Sequence, residues 1–315
     1  MEVYRTKDNQ VTKYIHNDGS ETAIKTVSSC NNIVGVTATA RNKYSVFVSI
    51  SAGCAMNCAF CYLTLKKCGY TKLTAKQIEQ NVKDAITAEV AHKPELKDKY
   101  IKFSWMGMGD ALPHGDIVYQ VSINVLNWIF ANGYAKGLDG VDLSTVYPNV
   151  KNIYFNKFID LNSALKVYDV NPEHVDGRSP FRLFYSLHST FQKTRNNLIP
   201  GTVPIINAVA DLSTLSALAG VDIIYHQVFL HLRNDYLEEI KGLITFMTSP
   251  INHNKELRIL RFNSCGGSAF KESEKFNIIV DTLSKSVNKL KYQVSTGSEI
   301  KAACGQFLLK KLKSN

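Results

Sequence analysis

From Tyr44 to Val287 the chain alternates short β-rich runs with stretches of helical spacing, and few folds accept that pattern. The β-rich runs are YSVFVSI (44–50), YIKFSW (100–105), Val141–Thr145, Phe181–Leu187, Ile223–Leu230 and Leu257–Phe262. Helical spacing falls at 74–92, 116–131, 212–218, 236–247 and 272–287. Leu73-Thr74 is a start signal for the first of these, and Asn132-Gly133 closes the second. Repeated strand–helix units imply a parallel sheet with helices outside it. No Gly/Ser/Pro linker divides the units, so one α/β body is expected, a partial (β/α)6 TIM-like barrel. Ligands of such sheets sit at the C-terminal ends of the strands.

The run IVGVTA (33–38), with YSVFVSI and the intervening Arg41-Asn42-Lys43, reads as a short β-hairpin ahead of the barrel. The residues before it read as polar and irregular, with a turn at Asn17-Asp18-Gly19-Ser20. The expected division is therefore 1–44, a polar extension with the first hairpin strand, and 45–315, the core with a C-terminal loop around Cys304. Pro148, Pro172 and Pro180 punctuate a less regular stretch, and 155–178 reads as an insertion.

Composition narrows the class. Hydrophobic residues make up 45% and charged residues 20%, which suits a folded chain. The formal charge of +10 suits a phosphate-rich partner, and equally a basic soluble enzyme. The N-terminal MEVYRTKDNQ has no apolar core of a secretory signal, and no apolar run approaches the ~18 residues of a membrane span. A reducing cytoplasm is the expected compartment. There, clustered cysteines point to metal or catalysis, not to a disulfide framework.

Three of the seven cysteines crowd into GCAMNCAFCY (53–62), directly after the first barrel strand. Cys54, Cys58 and Cys61 give C-x3-C-x2-C. Structural zinc takes four ligands, usually from C-x2-C pairs, so this is a poor zinc pattern. It suits a cubane iron–sulfur cluster with one iron left for a small molecule. Phe60 would pack beside that molecule. Cys68 lies outside the spacing and reads as incidental. Near the C-terminus, Cys304 in IKAACGQF (300–307) has no neighbouring cysteine, and by composition alone it is more readily buried filler than a reactive group.

GCAMNCAFCY resembles the cluster loop of the radical S-adenosylmethionine (SAM) superfamily. MGMGDAL (106–112) resembles its M-G-M-G-E-P stretch, with Asp110 in place of Glu. LSTVYP (143–148), YSLHSTFQKTRNNLIP (185–200), RILRFNSCGGSAF (258–270) and EIKAACGQF (299–307) resemble, in the same order, segments of the RlmN and Cfr type of RNA adenine methyltransferase. The resemblance spans residues 45–307. It implies that Cys54, Cys58 and Cys61 hold a [4Fe-4S] cluster. It also implies that Gly109, Asp110, Ser144, Ser186, Leu187, His188 and Asn263 line a SAM pocket, and that Cys304 carries a methyl group. On the residues alone, Ser144 could cap a strand end, His188 could be a core histidine and Asn263 a turn residue.

Carbons C2 and C8 of adenine are poor nucleophiles. In the family, one SAM methylates a cysteine thiolate, and a second yields a 5′-deoxyadenosyl radical that activates that methyl group. A protein–RNA adduct follows; a base removes the ring proton and a second cysteine releases product by forming a disulfide. The resemblance thus implies a radical SAM methyltransferase acting on C2 or C8 of an adenine in rRNA or tRNA. It further implies an electron donor such as a flavodoxin or ferredoxin, and a monomer. This chain departs from the pattern twice. Phe47 stands in F-V-S-I-S-A-G-C where the family keeps its resolving cysteine. Val34 falls where the alignment places the general-base glutamate of the preceding strand, and no acidic residue occurs between Cys30 and Cys54. Cys265 or Cys30 is the expected substitute thiol. RNA docking would rest on the basic barrel face, on 155–178 and on Lys66-Lys67 and Lys310-Lys311. The alternatives are a radical SAM enzyme of another substrate, with Cys304 a relic, or a catalytically incomplete SAM- or RNA-binding relative.

Overall fold

The computed structural model describes residues 1–26, 42–151, 153, 155–172, 179–253, 255–264, 268–293, 296–303 and 306, and the backbone of 30–32. The chain begins with β1 (Glu2–Arg5), β2 (Val11–Ile15), β3 (Glu21–Lys25) and β4 (Cys30–Asn32). Next come β5 (Lys43–Val48), β6 (Ser51–Ala52), α1 (Tyr62–Leu65), β7 (Thr71–Lys72), α2 (Ala75–His92), β8 (Tyr100–Trp105), α3 (Gly115–Ala131) and β9 (Gly137–Thr145). The remainder is α4 (Phe155–Ala164), β10 (Phe181–Ser186), α5 (Gln192–Leu198), α6 (Ile205–Ala219), β11 (Asp222–Val228), α7 (Leu237–Thr248), β12 (Glu256–Leu260), α8 (Phe276–Ser284) and β13 (Leu290–Gln293).

Eleven of these strands form one sheet, in the order β1-β2-β3-β5-β8-β9-β10-β11-β12-β13-β4. From β5 to β13 every neighbouring pair is parallel. The expected (β/α)6 barrel is present, with β13 as a further parallel strand. Helices cover its outer face because the strands are buried on both sides, which is why the runs read as near-continuous apolar segments. Inside, Asp142 of β9 lies 2.5 Å from Lys102 of β8 and 2.5 Å from Arg182 of β10. Burial alone would push its carboxyl up, but Arg182 and Lys102 outweigh burial and hold it below the usual range.

Three sequence expectations change. First, residues 1–26 are not irregular: β1, β2 and β3 form an antiparallel meander continuous with the barrel sheet. Their polar residues are buried because they find partners. Thr12 Oγ1 and Tyr14 OH donate to Glu89 of α2, at 2.9 and 2.5 Å. Second, the antiparallel neighbour of β5 is β3, with Ala23 opposite Phe47 and Thr22 opposite Val48. The run 33–41, expected as the hairpin partner, lies outside the described residues. Third, 155–178 holds the crossover helix between β9 and β10. In α4, Phe158 stacks on Phe181 at 5.7 Å between ring centroids. Asn162 donates to Ala219 O and accepts from Ser179 Oγ, at 2.8 and 2.6 Å. Packing secures a helix whose asparagines are weak formers. No helix among the described residues is long and apolar enough to cross a membrane.

Candidate active site

The loop between β6 and β7 carries the cysteine triplet, and the pairing of those two short strands closes its neck. Gly53 opens the loop at φ +76°, and a Cβ there would lie 1.7 Å from Gly69 O. Only glycine allows that approach. Ala59 N donates to Leu198 O and Cys61 N to Cys58 O, at 2.8 and 3.0 Å, fixing the loop against the β10 side of the barrel. Cys54, Cys58 and Cys61 then line one cavity, together with Met56 and Phe60. Burial pushes the Cys54 and Cys58 thiols up, and for Cys58 the neighbouring cysteines add to it. Among the described residues no three His, Cys, Asp or Glu side chains converge as ligands of a single ion. Three cysteines spread along one cavity wall suit three corners of a cubane with a fourth iron facing the cavity.

The other wall is built from strand ends. Gly109 and Asp110 follow β8, Ser144 and Thr145 end β9, Ser186 ends β10, and Leu260 to Asn263 leave β12; all line the same cavity. Gly109 sits at φ +85°, and a Cβ would lie 2.2 Å from Ser51 Oγ. Asp110 accepts from Thr145 Oγ1 at 2.9 Å, Val146 N at 2.7 Å and Leu112 N at 3.1 Å. Burial still pushes its carboxyl up to about 6. The oxygens of Ser144 and Ser186 are 3.5 Å apart across neighbouring strands.

His188 is held at φ +57°, and its Nδ1 accepts from Val228 N at 3.1 Å, so the ring proton sits on Nε2. Burial pushes its pKa down to about 3, which keeps the ring neutral. Phe60 meets it edge to face at 5.2 Å. Leu187 differs from its neighbours: it is fully buried in the main hydrophobic core and is not part of the cavity wall. Cys304 and Cys265 lie outside the described residues, as do Lys310-Lys311 and the side chain of Cys30. Ala302, two residues before Cys304, does line the cavity. Lys66 and Lys67 are exposed.

Sequence reasoning passed over Arg195 and Glu21 and read Cys68 as incidental. Arg195, fully buried, donates from Nη2 to Val146 O at 2.8 Å and Ser186 O at 3.0 Å, locking the ends of β9 and β10 together. Glu21, on β3, forms a buried ion pair of 2.6 Å with Lys13 of β2. Strand alternation puts Glu21 on the face of β3 that carries Ala23, opposite Phe47, and Lys25, which lines the cavity. Val34, the expected position for a family glutamate, lies outside the described residues, whereas the strand hydrogen-bonded to β5 carries Glu21. Cys68 packs into the same small apolar cluster as Phe47, Cys54, Cys61 and Ala302. The pairing of β3 with β5 was the missing signal, since sequence separation hides it.

No family model matches the chain. It is 25% identical over 302 residues to a probable dual-specificity RNA methyltransferase RlmN of Prochlorococcus marinus (strain MIT 9515), covering 93% of this chain and 77% of that one. It is 27% identical over 274 residues to the dual-specificity RNA methyltransferase RlmN of Hyphomonas neptunium, covering 82% and 62%. Among solved structures, a radical SAM methyltransferase from Sphaerobacter thermophilus shares the fold, with a TM-score of 0.68, 20% identity, and coverage of 97% of this chain and 80% of that one. With the ordered motifs and the cavity that gathers them, these likenesses support a radical SAM protein similar to the RlmN and Cfr type.

Proposed function

We propose that the protein is an RNA methyltransferase that transfers a methyl group from SAM to C2 or C8 of an adenine by way of Cys304. The observation that carries this reading is the convergence on one cavity of Cys54, Cys58, Cys61, Gly109, Asp110, Ser144, Ser186, His188, Asn263 and Ala302. The three cysteines would hold the cluster. When bound, cluster and SAM supply one-electron chemistry, and the chain's own residues bind, orient and move protons. Asp110 presents a carboxylate to the SAM amino group. The Ser144 and Ser186 hydroxyls and the Nε2–H of His188 offer neutral hydrogen bonds, and Asn263 offers its amide. The backbone of Leu187 places Ser186 and His188, since its N–H donates to His226 O at 3.0 Å. Glu21, paired with Lys13, is the proton acceptor for the adenine carbon.

Phe47 in the cavity wall favours a second reading of the same site, in which Cys304 is methylated but RNA is not released. The protein works as a monomer in the cytoplasm, with a small reductase partner such as a flavodoxin or ferredoxin. Mass mapping of RNA modifications in cells with and without the gene tests the proposal, alongside intact mass of the anaerobically prepared protein. A methylated adenine that disappears with the gene, and a ~14 Da adduct on Cys304, are expected. An unchanged modification profile overturns the methyltransferase reading. Adduct without modified RNA supports the trapped one.

A further inference from the structure

The loops leaving β11 and β12 build a ledge beside the cavity that neither the cluster nor SAM accounts for. Arg261 and Phe262 line the cavity itself. Phe262 and Phe270 pack, with Phe60 and Cys58, against Leu198, Ile199, Val228 and Leu230. The guanidinium of Arg233 lies 5.5 Å from the Phe270 ring centroid. Arg233 is exposed, and among the described residues no carboxylate is paired with it. Leu232 beside it is 60% exposed, although its backbone is held at φ +54°. A bulky side chain in the left-handed region, turned to solvent, runs against both steric and hydrophobic preference.

Hydrogen bonds tie the ledge to the cavity. His231 N donates to Lys271 O at 2.9 Å and Ser273 N to Phe229 O at 3.0 Å, stitching the two loops together. Asp235 accepts from Leu232 N and Ser273 Oγ, at 2.9 and 2.7 Å. Asn234 accepts from Leu230 N at 2.7 Å and donates to His188 O at 2.6 Å, so the Arg233 loop hangs directly from a cavity residue. A flat cation over an aromatic ring, an exposed aliphatic edge and the exposed Lys271 form a surface of one chemical kind, with Arg261 beside them paired to Glu272. Unpaired RNA is recognised by stacking bases on aromatic rings or arginine planes while cations pair with phosphate. A duplex offers its base faces to no such ledge.

We infer that the Arg233–Phe270 ledge seats one unpaired nucleotide beside the target adenine. Its base stacks on the Arg233 guanidinium and Leu232, and its phosphate pairs with the Arg233 charge. This rests on the RNA reading of the cavity and adds a seat for a neighbouring nucleotide outside it.

The test is fluorescence anisotropy of the anaerobic holoenzyme with two labelled RNAs, a stem-loop with unpaired purines and a blunt duplex of equal length. The wild type should prefer the stem-loop. Arg233→Ala should weaken stem-loop binding about tenfold and leave duplex binding nearly unchanged. Arg233→Lys should keep the salt dependence and lose the preference, and Phe270→Leu should act as Arg233→Ala does. SAM affinity by calorimetry should stay at the wild-type value in all three, which separates a lost ledge from a lost fold. A wild-type preference for the stem-loop that survives Arg233→Ala and Phe270→Leu overturns the ledge alone. A wild type that binds neither RNA overturns the RNA reading and the ledge with it.

Discussion

Lys13 and Glu21 form an ion pair of 2.6 Å on the neighbouring strands β2 and β3, with both side chains at most 1% exposed. Lys13 also donates to Lys301 O at 2.7 Å, in the segment that leads to Cys304. Burial pushes the Lys13 ammonium down and Glu21 opposes it, so the Lys13 charge depends on its partner. Removing one partner of such a pair costs about 3–5 kcal/mol, whereas replacing both with apolar residues is close to neutral. Lys13→Met should therefore lower the melting temperature sharply, and Lys13→Met with Glu21→Leu should restore most of it. Neither should restore RNA methylation. A double variant that melts and methylates like the wild type would remove Glu21 from the chemistry.

Glu21→Gln tests the proposed proton acceptor separately from the proposed methyl carrier, Cys304. The amide keeps the size and cannot take the proton; it also removes the charge paired with Lys13, so the variant should melt lower, and its chemistry is read below that melting temperature. RNA methylation should fall by at least about a hundredfold, while the ~14 Da adduct on Cys304 remains and RNA accumulates as a covalent complex. Denaturing gels after anaerobic turnover read the complex. Normal methylation by Glu21→Gln excludes this role.

The barrel was legible in the sequence because its strands are buried on both faces and read as apolar runs. The cluster loop was legible because its ligands are local in sequence. The meander of β1 to β3 was hidden: Lys13, Glu21, Thr12 and Thr22 are polar by type and buried by pairing, and pairing is nonlocal. Glu21 was missed for the same reason, since Ala23 opposite Phe47 becomes visible only once β3 is seen to lie on β5. In α4, Asn156, Asn162 and Ser163 dilute an apolar face that α3 and α6 nevertheless cover. The ledge was invisible because it joins Arg233 to Phe270 across two loops.

Phe47→Cys would return a thiol to the cavity wall. Phe47 lines the cavity, and the Lys25 ammonium lies 5.0 Å over its ring. If product release is what the wild type lacks, the variant should raise multiple-turnover methylation and reduce the fraction of trapped RNA. A trapped fraction equal to the wild type's would show that release runs through a different group.

Asp110 predicts a pH dependence. Burial raises its carboxyl to about 6, above the unfolded value of 3.8. Between those values the folded protein binds the proton more tightly, so this group favours folding as pH falls from 6 towards 4 and disfavours it above 6. The SAM ammonium needs the carboxylate, so affinity should run the other way. It should hold above pH 7 and fall below pH 6, approaching about tenfold per unit. Asp110→Asn should bind SAM weakly and without that slope. Calorimetric titration with SAM from pH 5 to 8 reads both, and an unchanged slope in Asp110→Asn would assign the titration elsewhere.

Two glycines with similar backbones should respond differently to alanine. Gly133, at φ +61°, has nothing within 4 Å of the added Cβ, so Gly133→Ala carries only the left-handed penalty, about 1 kcal/mol. Gly109, at φ +85°, would place its Cβ 2.2 Å from Ser51 Oγ and 2.6 Å from Ile50 Cγ2. Gly109→Ala must push the β8 exit away from Ile50 and Ser51, which lead into the cluster loop. It should lose iron content as well as stability, and SAM affinity with both. Gly133→Ala should keep its iron and its SAM affinity. Iron analysis of the anaerobically purified variants distinguishes them, and full iron occupancy in Gly109→Ala would show that the loop holds its cluster without this support.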